Sequence, residues 1–106
     1  MNSSHSIFVY RVMKLNEWSV FKKNKEFSGN SFDKKSGFIH LSTKKQLNKT
    51  IDLYFNNNTN LIILKFNVKK FGKDLKWEKS RDGQFFPHLY GLLNYDDILT
   101  YESYDE

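Results

Sequence analysis

The 106-residue chain contains no cysteine. Disulfides, zinc–thiolate centres and a cysteine nucleophile are thereby excluded, and a reducing compartment is compatible with the composition. Nor does any apolar run approach the roughly 18 residues that a membrane span needs. The stretch MNSSHSIFVYRV has no basic segment leading into an apolar one, so no secretory leader is expected and a cytoplasmic location is. Arginine is scarce: among 17 basic residues only Arg11 and Arg81 are arginine. The net charge of +5 comes from lysines in scattered pairs such as Lys22/Lys23 and Lys69/Lys70. Phosphate and base recognition favour the fork geometry of arginine, so a solvated lysine surface is preferred over a nucleic-acid partner. Proline occurs once, as Pro87 in the stretch FPHLYG.

What the chain has in quantity is aromatic residues: ten Phe, six Tyr and two Trp. Such residues suit a sheet packed against a few helices. The length fits one domain over residues 1–106, with roughly 65% of the unfolded surface buried. Residues 6–13, SIFVYRVM, have the apolar and β-branched character of a first strand. In LNEWSVFKKNKEF, Asn16 is an expected N-cap, with Leu15, Trp18 and Phe21 on one helical face. SGNSFDKKSG reads as a loop because Gly, Ser, Asn and Asp are dense and no periodicity is present.

A short strand is expected at Phe38–Leu41. Thr43 and Gln46 have capping-box spacing before a second helix, whose face carries Leu47, Ile51, Tyr54 and Phe55. NNNTN should end that helix, and LIILKFNV at residues 61–68 is the clearest strand. FGKD breaks it. LKWEKS and FFPHLY are extended pieces joined by a turn at Arg81-Asp82-Gly83, and DILTYESY is a last strand. This order predicts a compact α+β domain with small mixed or antiparallel sheets and about two helices.

Four clusters carry chemistry-bearing side chains. In GFIHLST, alternation places His40 and Ser42 on one strand face and Ile39 and Leu41 in the core. Thr43 then stands at a helix start, where free N–H groups favour anions. The alternative is a structural histidine beside an ordinary cap. In WEKSR, Glu78 and Ser80 lie on one side and Trp77 with Lys79 on the other. With Arg81 they could hold a ribose, a flat ring and a phosphate, or form a surface salt bridge beside a core tryptophan.

In FPHLYG, Pro87 favours an extended chain or a sheet edge, His88 and Tyr90 share a face, and Gly91 allows a turn or a close approach. Arg11 interrupts an apolar strand; it either reaches solvent or needs an anion such as Glu78 or a ligand phosphate. His40, His88 and Glu78 would compose a two-histidine, one-carboxylate metal set, but no short-spaced histidine pair supports it. No G-x-S-x-G elbow is present for a serine triad.

GFIHLST, WEKSR and FPHLYG, in that order after a first strand FVYRV, resemble the bacterial domain of unknown function 952 family over about Ile7 to Leu99. The matching positions are His40, Ser42 and Thr43; Trp77, Glu78, Ser80 and Arg81; and Pro87, His88, Tyr90 and Gly91. A strand ending in HLST and entering a helix is also similar, more distantly, to a segment of ADP-ribosyltransferase-like proteins, although YRVMK replaces their usual His-Gly-Thr. The first resemblance implies a shared site and carries no established activity; the second implies a nucleotide-like ligand, NAD or ADP-ribose, with glycosyl or ADP-ribosyl transfer as the chemistry. In that site Arg11 and Arg81 would hold phosphate, and His40, Ser42 and Thr43 would bind ribose or phosphate. Ser80 belongs to the same ligand set, and Trp77 or Tyr90 would stack on a ring. Glu78 would stabilise a cationic sugar or orient a nucleophile, and His88 would act as general acid or base. The other readings are a non-enzymatic module for a metabolite or protein, and an RNA-associated basic domain. A single site requires His40, Glu78, Arg81 and His88 to converge on one concave surface.

Overall fold

Alternation along FVYRVMK sends Val9, Arg11 and Met13 to the buried face of strand β1 (Phe8–Lys14). A computed structural model describes this strand and the rest of residues 7–55 and 60–104. β1 pairs antiparallel with β4 (Leu61–Asn67), which pairs on its other edge with β8 (Thr100–Tyr104). A second antiparallel sheet has the order β3 (Ile39–His40), β6 (Phe85–Leu89) and β5 (Leu75–Lys79). The two sheets join where Tyr10 and Ser42 exchange backbone hydrogen bonds of 2.8 and 2.9 Å. β2 (Glu26–Phe27) and β7 (Leu93–Asn94) form a two-stranded ribbon.

Three helices complete an α+β domain: α1 (Leu15–Asn24), α2 (Ser31–Ser36) and α3 (Leu47–Tyr54). Trp18 and Phe21 of α1 bury against Val9, Met13, Leu64 and Phe66 in the main core, which the fully buried Leu89 also joins. Ile51 of α3 packs with Val12 and Leu61 in a smaller cluster on the other face of β1, flanked by Leu47 and Phe55. Among the described residues no helix is long and apolar enough to cross a membrane.

Several local expectations are corrected. The stretch expected to be a loop contains α2, because Asn30 accepts from the Asp33 amide while Asp33 accepts from the Asn30 amide. Asn16 does not cap α1: the N-cap is Lys14, two residues earlier, and Glu17 accepts from the Lys14 amide. Leu15 stays half-exposed, so only Trp18 and Phe21 of the expected triplet reach the core. Thr43 and Gln46 do make the reciprocal bonds, but around a turn that precedes α3, and Tyr54 is exposed.

Pro87 is extended, the first of its two expected settings, but within β6, the central strand of its sheet, and not at an edge. There its carbonyl accepts from the Leu41 amide just where β3 ends, so the missing N–H removes one ladder bond at the end of a two-residue strand. Ser6 and residues 56–59 of NNNTN lie outside the described residues; Asn60 occupies the left-handed region at φ 60°.

Candidate functional site

The site is built around a residue in the first turn of α2. Asp33 is only 1% exposed. Gly29 makes room for it: its φ is +111°, and a Cβ there would stand 2.8 Å from the Asp33 Cβ. The two carboxylate oxygens receive Arg11 end-on, from Nη1 at 3.0 Å and Nη2 at 2.8 Å. Arg11 sits on the core face of β1, 5% exposed, with its guanidinium over the Phe27 ring. Its Nη1 also donates to the His40 carbonyl, and its Nε is buried without a partner among the described residues. Asp33 further accepts from the His40 amide at 3.0 Å and from the His40 Nδ1 at 2.7 Å. An ionised carboxylate only accepts, so Nδ1 of His40 carries the proton. Burial by itself raises the Asp33 carboxyl, but hydrogen bonds from His40 and Arg11, the Arg11 charge and the Asn30 amide outweigh it. The carboxyl is held well below the usual carboxylate range.

A second histidine–carboxylate pair stands on the neighbouring strand. His40 and His88 are register partners of β3 and β6, and their ring centroids are 6.0 Å apart. His88 is 5% exposed and donates from Nδ1 to Glu78 Oε1 at 2.8 Å. The same oxygen accepts from the Tyr90 hydroxyl at 2.8 Å. Phe38 stacks on the His88 ring at 3.9 Å and 21°, and Phe32 on the His40 ring at 4.5 Å and 19°. Burial lowers the His88 pKa below its ordinary value, and the opposing effect of Glu78 does not restore it. His88 is therefore neutral at pH 7. Hydrogen bonds from His88 and Tyr90 lower Glu78, and the bond to Glu78 raises Tyr90. With each Nδ1 committed to a carboxylate, no hydrogen bond among the described residues engages Nε2 of either ring.

Both histidines line a cavity of about 390 Å³. Its walls come from β1, the starts of α1 and α2, α3, and the β5–β6 turn. Arg81 enters from that turn, over Phe86 at 4.6 Å and Tyr54 at 5.6 Å, donating to Thr50 Oγ1 at 3.3 Å. Thr50 is bonded in turn to Ser42 Oγ at 3.0 Å. Among the described residues Arg81 has no carboxylate partner. Glu17 lines the wall too, but it is held by the Lys14 amide and by Asn30 Nδ2.

Of the residues singled out in the sequence, Arg11, His40, Ser42, Ser80, Arg81 and His88 line the cavity. Glu78 does not; it touches the site through His88. Thr43 lies beyond the wall in its bonds to Gln46, and Tyr90 is exposed behind Glu78. Trp77 packs on the main core, on the opposite side of β5 from Glu78. The partner of Arg11 is Asp33, not Glu78 or solvent, because Arg11 shares the inward face of β1. Gly91 is a close approach: a Cβ there would be 3.3 Å from the Asp74 carboxylate. Sequence reasoning missed Asp33, Phe32, Thr50 and Tyr54 as site residues. The signal for Asp33 was present, since Asn30 and Asp33 have N-cap and N3 spacing.

The shifts predict an acid-sensitive fold. In the unfolded chain His88 titrates near 6.5, and burial holds the folded value lower. As pH falls through that window the unfolded chain takes up a proton that the folded chain refuses, and stability drops. The Asp33 contribution is complete above its ordinary 3.8 and disappears only in stronger acid. The melting temperature of the wild type should therefore decline from about pH 6.5 downward in two stages. His88→Gln should flatten the upper stage and leave the lower. An unchanged upper slope in that variant would show that His88 is not the group responsible.

The match to a family model, described as a protein of unknown function (DUF952), covers residues 12–101. The chain is similar to a crystal structure of protein CC0527 from Caulobacter crescentus, with 36% identity, 92% of this chain and 86% of that chain covered, and a TM-score of 0.88. A solution NMR structure of the same protein is similar at 35% identity, with 94% and 86% covered and a TM-score of 0.84. No curated protein matches. With most of its length matched by the model and its whole fold shared at this identity, the chain belongs to the DUF952 family.

Proposed function

We propose that the cavity binds a small nucleotide-like anion of the NAD or ADP-ribose class, and that its paired histidines serve group transfer at the ligand's sugar. The observation that supports this most directly is the joint position of His40 and His88. They are register partners on adjacent strands, each anchored through Nδ1, beside an arginine with no carboxylate partner among the described residues. A neutral imidazole anchored in this way has its Nε2 lone pair left for an incoming proton. A guanidinium already held by rings and a hydroxyl loses little freedom when it meets a phosphate.

In this reading His88 takes the proton of an acceptor hydroxyl. The hydroxyl oxygen bonds to the anomeric carbon as the carbon–nitrogen bond to nicotinamide breaks, and the electron pair leaves with the ring. His40 hydrogen-bonds the ligand from beside His88 on the same sheet face. Glu78 orients His88, so the role at the sugar expected for it from sequence is replaced by a positioning one. Arg11 stays with Asp33, and Arg81 is the phosphate anchor.

A ligand that binds only the folded chain must stabilise it, by about 2.7 kcal/mol at a hundredfold excess over Kd. For a domain of this size that is an upward shift of roughly 10–20 °C in melting temperature. Thermal-shift measurements with NAD, ADP-ribose, AMP and ADP check it, and no shift with any of them would end this reading.

A further inference from the structure

We infer that Phe32 and Tyr54 are the ring-binding wall of this cavity, so that its ligand carries a flat aromatic ring beside the anion held at Arg81. The inference rests on the cavity being an anion site and adds the part of the ligand that decides specificity. The two rings come from different elements, Phe32 from the first turn of α2 and Tyr54 from the last turn of α3. The fold brings their centroids to 5.9 Å, both on the cavity wall, yet leaves them 51% and 53% exposed. Two large aromatics half in water at the wall of a cavity are surface that a ligand ring would cover.

Each ring also touches a group of the proposed chemistry. Phe32 stacks on His40, and Tyr54 lies under the Arg81 guanidinium. Tyr54 thus stands between Arg81 and Phe32, a short step from anion anchor to histidine. A nucleoside monophosphate offers a base, a sugar and a phosphate on that scale. The aromatics expected from sequence to stack on a ring, Trp77 and Tyr90, do not line the cavity.

The test uses AMP and ribose 5-phosphate, which share the anion and differ in the ring, in calorimetric titrations with the full chain. Stacking on an aromatic side chain corresponds to on the order of 10- to 100-fold in affinity. AMP should bind at least tenfold more tightly than ribose 5-phosphate. Phe32→Leu and Tyr54→Leu should each weaken AMP about tenfold or more and weaken ribose 5-phosphate clearly less, the smaller loss reflecting the support each ring gives His40 or Arg81. Arg81→Gln should weaken both. Because both rings are half-exposed, the leucine variants should keep the wild-type circular dichroism. Equal affinity for the two probes, or AMP binding indifferent to both leucine substitutions, overturns the ring site while leaving the anion site standing. If neither probe binds the wild type and no nucleotide shifts its melting temperature, the anion site fails and the ring site with it.

Discussion

Asp33→Ala is expected to cost about 3–5 kcal/mol of folding stability, the range for removing one partner of a buried ion pair. A domain of this size has about 5–15 kcal/mol in total, so the melting temperature should fall by roughly 15–30 °C. The size of the effect follows from how much converges on one carboxylate. Asp33 receives two bonds from Arg11, two from His40 and one from the Asn30 amide. Alanine would leave the Arg11 charge buried without a counter-ion and remove half of the reciprocal cap of α2. Arg11→Met should cost less, because Asp33 then keeps three donors and the methionine fills similar space. The double variant Arg11→Met/Asp33→Leu removes the charges together, and it should be more stable than Asp33→Ala alone. Chemical denaturation of the wild type and the three variants measures these differences. If Asp33→Ala lost under 1 kcal/mol, the buried pair would not be holding the sheet to the helix.

The same residue marks where sequence reasoning stopped. The long strands and the face of α3 were legible because their burial repeats with period two or near 3.6 over six residues or more, as at Leu61–Asn67. Helix α2 has six residues and a buried acid where an amphipathic helix would show an apolar stripe. Composition alone made it a loop. The motif residues were legible as types, and alternation already set Trp77 opposite Glu78. Which polar partner Arg11 would find was not legible. That depends on 21 intervening residues folding back so that the start of α2 meets the inner face of β1. Phe32 and Tyr54 were hidden for the same reason, since their significance lies in meeting each other across two helices.

His88→Ala is expected to reduce release of nicotinamide from NAD by about 10²–10⁴-fold, the contribution of a positioned general base. That is about 3–5 kcal/mol of transition-state stabilisation. In the proposed chemistry the base must be neutral to act, and burial holds its pKa below the ordinary 6.5, so kcat/KM should rise along an acid limb lying below that value and then level off. Glu78→Gln separates positioning from catalysis. Glu78 raises the His88 pKa through its hydrogen bond and its charge, so losing the carboxylate should move the acid limb of the profile to lower pH. The plateau should fall as well, because the imidazole loses its anchor, though less than in His88→Ala. Tyr90→Phe leaves the carboxylate in place and removes one of its two donors, so a smaller displacement of the same limb is expected. His40→Ala should also lower turnover, since His40 lines the cavity beside His88. Turnover persisting at the wild-type rate in both histidine variants would remove them from the chemistry. Ligand-induced stabilisation with no nicotinamide release by the wild type would make the cavity a binding site alone.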